Sequence, residues 1–87
     1  MACVYILQSE KNQRFYIGST IDLKRRFQEH CEGRNTSTRN ILPVKLIFSQ
    51  EYSTLHEARK VELWLKRMKS RVLIDKIIQK GIIDHTS

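Results

Sequence analysis

The sequence predicts an α+β fold, a small and mostly antiparallel three-stranded sheet flanked by helices in the order ββαβαα. Three observations carry this expectation. Residues 3–7, 15–19 and 44–51 are strand-length runs rich in β-branched and aromatic residues. Segments beginning at Asp22 and Thr54 repeat apolar residues at helical spacing behind a capping residue. The whole chain is only 87 residues, which is room for one domain.

The first run, CVYIL, is continuously apolar and suits a strand covered on both faces. The polar link SEKNQR carries a turn signal at Asn12 and leads to FYIGS, so the two runs form a hairpin. Asp22 caps a helix that ends near Gly33, with Leu23, Phe27 and Cys31 at i, i+4 and i+8 as its buried stripe. Residues 34–43 read as a polar loop closed by Pro43. Val44, Leu46 and Phe48 alternate with Lys45, Ile47 and Ser49, the period of a third strand. Thr54 and Glu57 make a capping box for a helix to about Lys69, with Ala58, Val61, Leu65 and Met68 facing the core. Ser70 caps a last helix, apolar at Val72, Leu73, Ile77 and Ile78, that stops by Gly81. Residues 1–80 are thus expected to be a single domain and 81–87 a frayed tail.

Composition narrows the function. No apolar run reaches the ~18 residues of a membrane span, and the N-terminus lacks a basic region and cleavage site. A soluble, cytoplasmic protein is expected. Cys3 and Cys31 have neither CxxC spacing nor paired histidines, which argues against structural zinc; both read as small buried hydrophobes. Sixteen basic residues against nine acidic give a net charge of +7, so a polyanion such as nucleic acid is the first partner to consider. The excess concentrates between Thr54 and Lys80, where Arg59, Lys66, Arg67, Lys69 and Arg71 are candidate phosphate contacts.

Five polar side chains sit where folding alone gives weak reasons for them. Tyr5 shares a strand face with Cys3 and Leu7, and Tyr16 shares one with Gly18. Arg26 and His30 are i, i+4 on the first helix, and Glu62 lies at the edge of the second helix's apolar face. A carboxylate can hold a hard divalent ion, a guanidinium meets phosphate bidentately, and a phenol or imidazole can handle a water's proton. That is an inventory for phosphodiester hydrolysis.

These residues resemble the GIY-YIG nuclease signature. The pieces are Val4-Tyr5-Ile6, then Tyr16-Ile17-Gly18-Ser19-Thr20, then Asp22-Leu23-Lys24-Arg25-Arg26-Phe27 with His30. Thr38-Arg39, Pro43-Val44 and Glu57-Ala58 with Glu62 and Lys66 resemble the short, single-domain bacterial members, so the likeness spans residue 3 to about 75. The resemblance implies that Glu62 binds one Mg²⁺ or Mn²⁺ with waters and phosphate. It implies that Tyr5 is the general base, its pKa lowered by that metal and by Arg26, with His30 a rival for the proton. Arg26 would steady the transition state, while Tyr16 and His30 orient water or phosphate. Gly18 would let phosphate or a helix approach the backbone, and Arg39 would join the nucleic-acid contacts. The glycine of the first tyrosine motif is Cys3 here.

Each piece also has a plainer reading. Strand tyrosines usually pack, His30 near a helix C-terminus favours the dipole, and Glu62 with Lys66 and Arg59 is the pattern of a surface ion pair. The expectation drawn from their joint occurrence is a metal-dependent endonuclease acting on nucleic acid, DNA foremost, without its own sequence-specificity domain. Substrate selection would then come from nucleic-acid shape, from a protein partner that supplies targeting, or from nothing. The alternatives are a catalytically weak nucleic-acid-binding module or repair-complex subunit, and a basic protein-interaction domain.

Overall fold

The computed structural model describes residues 1–83. Seven elements follow in order: β1 (Ala2–Ser9), β2 (Phe15–Thr20), α1 (Leu23–Cys31), a 3₁₀ turn (Arg39–Ile41), β3 (Val44–Tyr52), α2 (Leu55–Met68) and α3 (Arg71–Lys80). The strands form one antiparallel sheet in the order β2-β1-β3. This is the expected ββαβαα architecture, with the loop before β3 tightened by the 3₁₀ turn.

Every helix starts where a side chain satisfies an otherwise orphaned N–H. Asp22, Thr54 and Ser70 accept from the backbone of Arg25, Glu57 and Leu73, contacts typically worth ~1 kcal/mol each. The 9–14 turn closes around Ser9, whose Oγ accepts from the N–H of Lys11 and Asn12 and donates to the Ile41 carbonyl.

As the central strand, β1 is covered on both faces, which is why its sequence runs apolar without alternation. On one face Val4 and Ile6 pack with Ala58, Val61 and Leu65 of α2 and Ile74 and Ile77 of α3. On the other, Cys3, Tyr5 and Leu7 pack with Val44, and Tyr16, Leu23, Phe27 and Leu42 close over them.

Four expectations need correction. Cys31 is exposed, and the buried residue of α1 is His30, because the helix turns that flank to the sheet. Met68 and Val72 are exposed, and α3 buries Ile74 with Ile77. A bulge at Ile47 breaks the alternation in β3: Phe48 faces Ile6 while Leu46 faces Leu7, so Ile47 and Phe48 both reach the α2 side. Ile83, placed in the frayed tail, is buried and pinned by Gln50, whose Oε1 accepts from the Ile83 N–H at 2.7 Å and whose Nε2 donates to its carbonyl at 3.2 Å. Residues 84–87 of that tail lie outside the described residues.

Candidate active site

Pairing of β1 with β2 sets Tyr5 opposite Gly18 and Leu7 opposite Tyr16, so both tyrosines stand on the α1 side of the sheet. His30 comes down onto them from the last turn of α1. The Tyr16 and His30 rings meet edge-on with centroids 5.0 Å apart, Tyr5 and His30 lie 5.8 Å apart, and the two tyrosines 6.4 Å apart. A hydrogen bond of 3.0 Å joins Tyr5 Oη to His30 Nε2, and another of 2.7 Å joins His30 Nδ1 to Thr38 Oγ1. All three members of this chain are almost fully buried.

Gly18 makes the cluster possible. A Cβ at that position would stand 2.5 Å from Tyr5 Cζ, far inside contact distance, so the Tyr5 ring fills the space where a side chain would be. The group that approaches the Gly18 backbone is the phenol of Tyr5.

Burial controls the electrostatics here. The Tyr5 hydroxyl is held well above the ordinary phenol pKa, first by desolvation and then by the neighbouring Tyr16, with Glu62 adding to the rise; Arg26 pulls the other way. The expected lowering of the Tyr5 pKa is therefore not what the folded chain alone produces, because desolvation outweighs the one guanidinium. His30 is pushed below its usual value by burial and by Arg26, so the imidazole is neutral at pH 7. Arg26 itself is half-exposed on α1, its Nε 3.4 Å from Glu29 Oε1.

Glu62 belongs to the other side of the sheet. Since β2 is an edge strand, α2 lies against it so that Glu62 meets Ser19, which points away from Tyr5. The Ser19 hydroxyl donates to Glu62 Oε1, and Lys66 Nζ donates to Oε2 at 2.6 Å. Lys66 also reaches round the strand edge to sit 5.9 Å from the centroid of Tyr16. Tyr5, Tyr16, Arg26 and His30 thus gather on one face, and Glu62 stands across the exposed edge of β2.

No group of three or more acidic, histidine or cysteine side chains converges among the described residues. The donor set is one carboxylate beside a hydroxyl. That fits Mg²⁺ or Mn²⁺, which keeps several waters and takes one or two carboxylates plus substrate phosphate; it does not fit a four-ligand zinc cage. Both carboxylate oxygens are engaged, Oε1 by Ser19 and Oε2 by Lys66.

The candidate nucleic-acid contacts divide. Lys66 is tied to Glu62, whereas Lys69 and Arg71 line a cleft beside β2, with the Arg71 guanidinium 4.8 Å from the Phe15 ring centroid. Arg59 shares the Glu62 flank of α2 by helical spacing, Arg67 lies on the solvent face, and Arg39 lies by Gly33 near the end of α1. Sequence reasoning missed three residues. Ser19 stands inside the second tyrosine motif, and its place there was the available signal. Thr38 stands beside Arg39 in a stretch read as loop, and nothing local marks it as the partner of His30. Arg14, which lines the cleft, carries no sequence signal beyond its charge.

The family model for the GIY-YIG catalytic domain matches residues 1–75. A UPF0213 protein of Streptococcus pneumoniae serotype 4 is 41% identical over 69 residues, covering 78% of this chain and 69% of that protein. Another, of Lactococcus lactis subsp. cremoris, is 34% identical over 80 residues, 91% of this chain and 81% of its own. The solution NMR structure of a UPF0213 protein from Bacillus halodurans superposes with a TM-score of 0.58 at 29% identity, over 93% of this chain and 87% of that one. With the family model matching residues 1–75, and with relatives and a solved structure that share most of its length, the chain belongs to the GIY-YIG family.

Proposed function

We propose that the protein is a metal-dependent endonuclease that hydrolyses phosphodiester bonds in nucleic acid, DNA foremost. The observation that carries the reading is the Tyr5–Tyr16–His30 cluster facing Glu62 across the open edge of β2. Glu62, with Ser19 holding its Oε1, is the residue that would bind Mg²⁺ or Mn²⁺. A bound divalent ion would supply charge for the phosphate and lower the pKa of a water. Arg26 offers a planar fork to a phosphate oxygen once it exchanges Glu29 for substrate. Tyr5 keeps its proton in the substrate-free chain, and positive charge arriving beside it is what would release it. Neutral His30 fixes the direction of the phenol through Nε2, and Tyr16 forms the wall between that phenol and Lys66.

Nicking of supercoiled plasmid with Mg²⁺ or Mn²⁺ tests this reading, with Glu62→Ala as the control. Nicking by the wild type and none by the variant supports it; equal rates, or none by either, reject it. One observation favours a second reading, a nucleic-acid-binding subunit with little turnover: Glu62 is engaged at both oxygens, by Ser19 and Lys66. Salt-sensitive DNA binding without nicking would select that reading.

A further inference from the structure

The cleft beside β2 is a second feature of the same edge. It has a volume of about 400 Å³, within the range of ligand pockets, and lies between β2 and the turn from α2 to α3. Its apolar walls are Phe15, Ile17, Leu65 and Ile74. Its rim carries four cations, Arg14, Lys66, Lys69 and Arg71, and among the described residues no carboxylate lines it. It shares Tyr16 and Lys66 with the candidate active site, so whatever fills it lies beside that site.

We propose that this cleft is a subsite for one unstacked nucleotide next to the scissile phosphate. An apolar slot ringed by positive charge matches a flat base joined to an anionic phosphate. It matches a duplex poorly, because paired bases are stacked and cannot enter without being unpaired and turned out. The base takes the place over the Phe15 ring that the Arg71 guanidinium now holds at 4.8 Å from the centroid, with Arg71 moving out to the rim, and the phosphate meets Arg14 and Lys69. A phosphate seated at the rim also gives Lys66 a partner other than Glu62, so filling the cleft frees Oε2 while Ser19 keeps Oε1. The selectivity that follows is for unpaired over paired nucleic acid, independent of base sequence. This inference rests on the nucleic-acid reading above and adds the substrate class to it.

Fluorescence anisotropy in EDTA and low salt separates the two. The probes are a labelled thymidine oligomer, the same oligomer paired with its complement, an abasic chain of equal length, and polyglutamate. The thymidine oligomer is expected to bind about fivefold or more tighter than the duplex and the abasic chain, the range for stacking one base on an aromatic ring. Phe15→Leu, which keeps the apolar volume, should bring the thymidine oligomer down to the abasic chain. Equal affinity for thymidine oligomer, duplex and abasic chain overturns the subsite while leaving nucleic-acid binding standing. No binding of any nucleic-acid probe overturns both. Polyglutamate binding as tightly as the oligomer overturns the subsite in favour of a general polyanion surface. Amide shifts on adding the oligomer should fall on Phe15, Lys69 and Ile74; shifts confined to α1 also overturn it.

Discussion

The Tyr5 ring occupies the space that a side chain at Gly18 would need, so the two residues are complementary halves of one packing unit. Gly18→Ala is expected to force the phenol away from His30 and to cost about 1–3 kcal/mol as overpacking. Combined with Tyr5→Leu, which withdraws the hydroxyl and outer ring, the loss should be clearly less than the sum of the two single changes. A double-mutant cycle from urea midpoints checks this. Strict additivity would show that Tyr5 and Gly18 do not share the space.

Tyr5→Phe carries a cost that a partly exposed tyrosine would not. The side chain is 1% exposed, so removing the hydroxyl leaves His30 Nε2 buried without its partner. The expected destabilisation is about 1–3 kcal/mol, together with loss of most nicking activity. Thermal unfolding and the plasmid assay read the two effects separately.

The tautomer of His30 sets the direction of the chain that joins Tyr5 to Thr38. Both hydroxyls are buried and each meets one ring nitrogen, so the neutral imidazole accepts from one of them and donates to the other. Imidazole ¹⁵N shifts should report one tautomer in the wild type and in Thr38→Ser, and a mixture in Thr38→Val. Nε2–H runs the chain from Thr38 to Tyr5 and Nδ1–H runs it from Tyr5 to Thr38. A wild-type spectrum that already mixes the two would show that the Thr38 bond does not order the ring.

His30 also makes stability depend on pH. Its folded pKa lies below the unfolded value near 6.5, through burial and Arg26, with Glu29 opposing. Between those two values the unfolded chain holds more protons. Stability is therefore level above about pH 6.5 and falls as the pH drops below it. The urea midpoint should decline from pH 7.5 towards pH 5 in the wild type, and the decline should shrink in His30→Asn.

A divalent cation held by Glu62 would compete with Lys66, whose Nζ donates to Oε2. Lys66→Met should therefore tighten Mn²⁺ binding by several-fold, while Glu62→Gln should abolish the Mn²⁺ broadening of amide signals around Ser19 and Tyr16. As a surface-edge ion pair, the contact itself contributes ~1 kcal/mol or less to stability. Broadening centred on Asp22 or Glu29 instead would place the ion elsewhere.

The strands and helices were legible because local rules decide them: the apolar run of β1, and the caps Asp22, Thr54 and Ser70. The shared face of Tyr5 and Tyr16 needed a register that strand period alone leaves open, and pairing supplies it. The position of Glu62 needed to know that β2 is an edge strand, which is a property of the whole sheet. The burial of His30 was hidden because an imidazole and a thiol one residue apart are equally plausible inward-facing neighbours, and the hydroxyl of Thr38, eight residues on, decides between them. The sign of the Tyr5 shift was missed for a related reason: spacing reveals nearby charge and says nothing of the desolvation that opposes it.

The alternation along β2 has a consequence for which changes of length the chain can absorb. Tyr16 and Gly18 go to one side and Ser19 to the other, so a single residue inserted between Phe15 and Thr20 would exchange the two sets. The phenol would then meet a side chain where it now meets none, and Glu62 would lose its hydroxyl donor. The turn between Ser9 and Phe15 has no such bookkeeping to respect beyond the hydrogen bonds gathered at Ser9. Length variation in relatives that keep this cluster should therefore collect in the hairpin tip and stop abruptly at the strand.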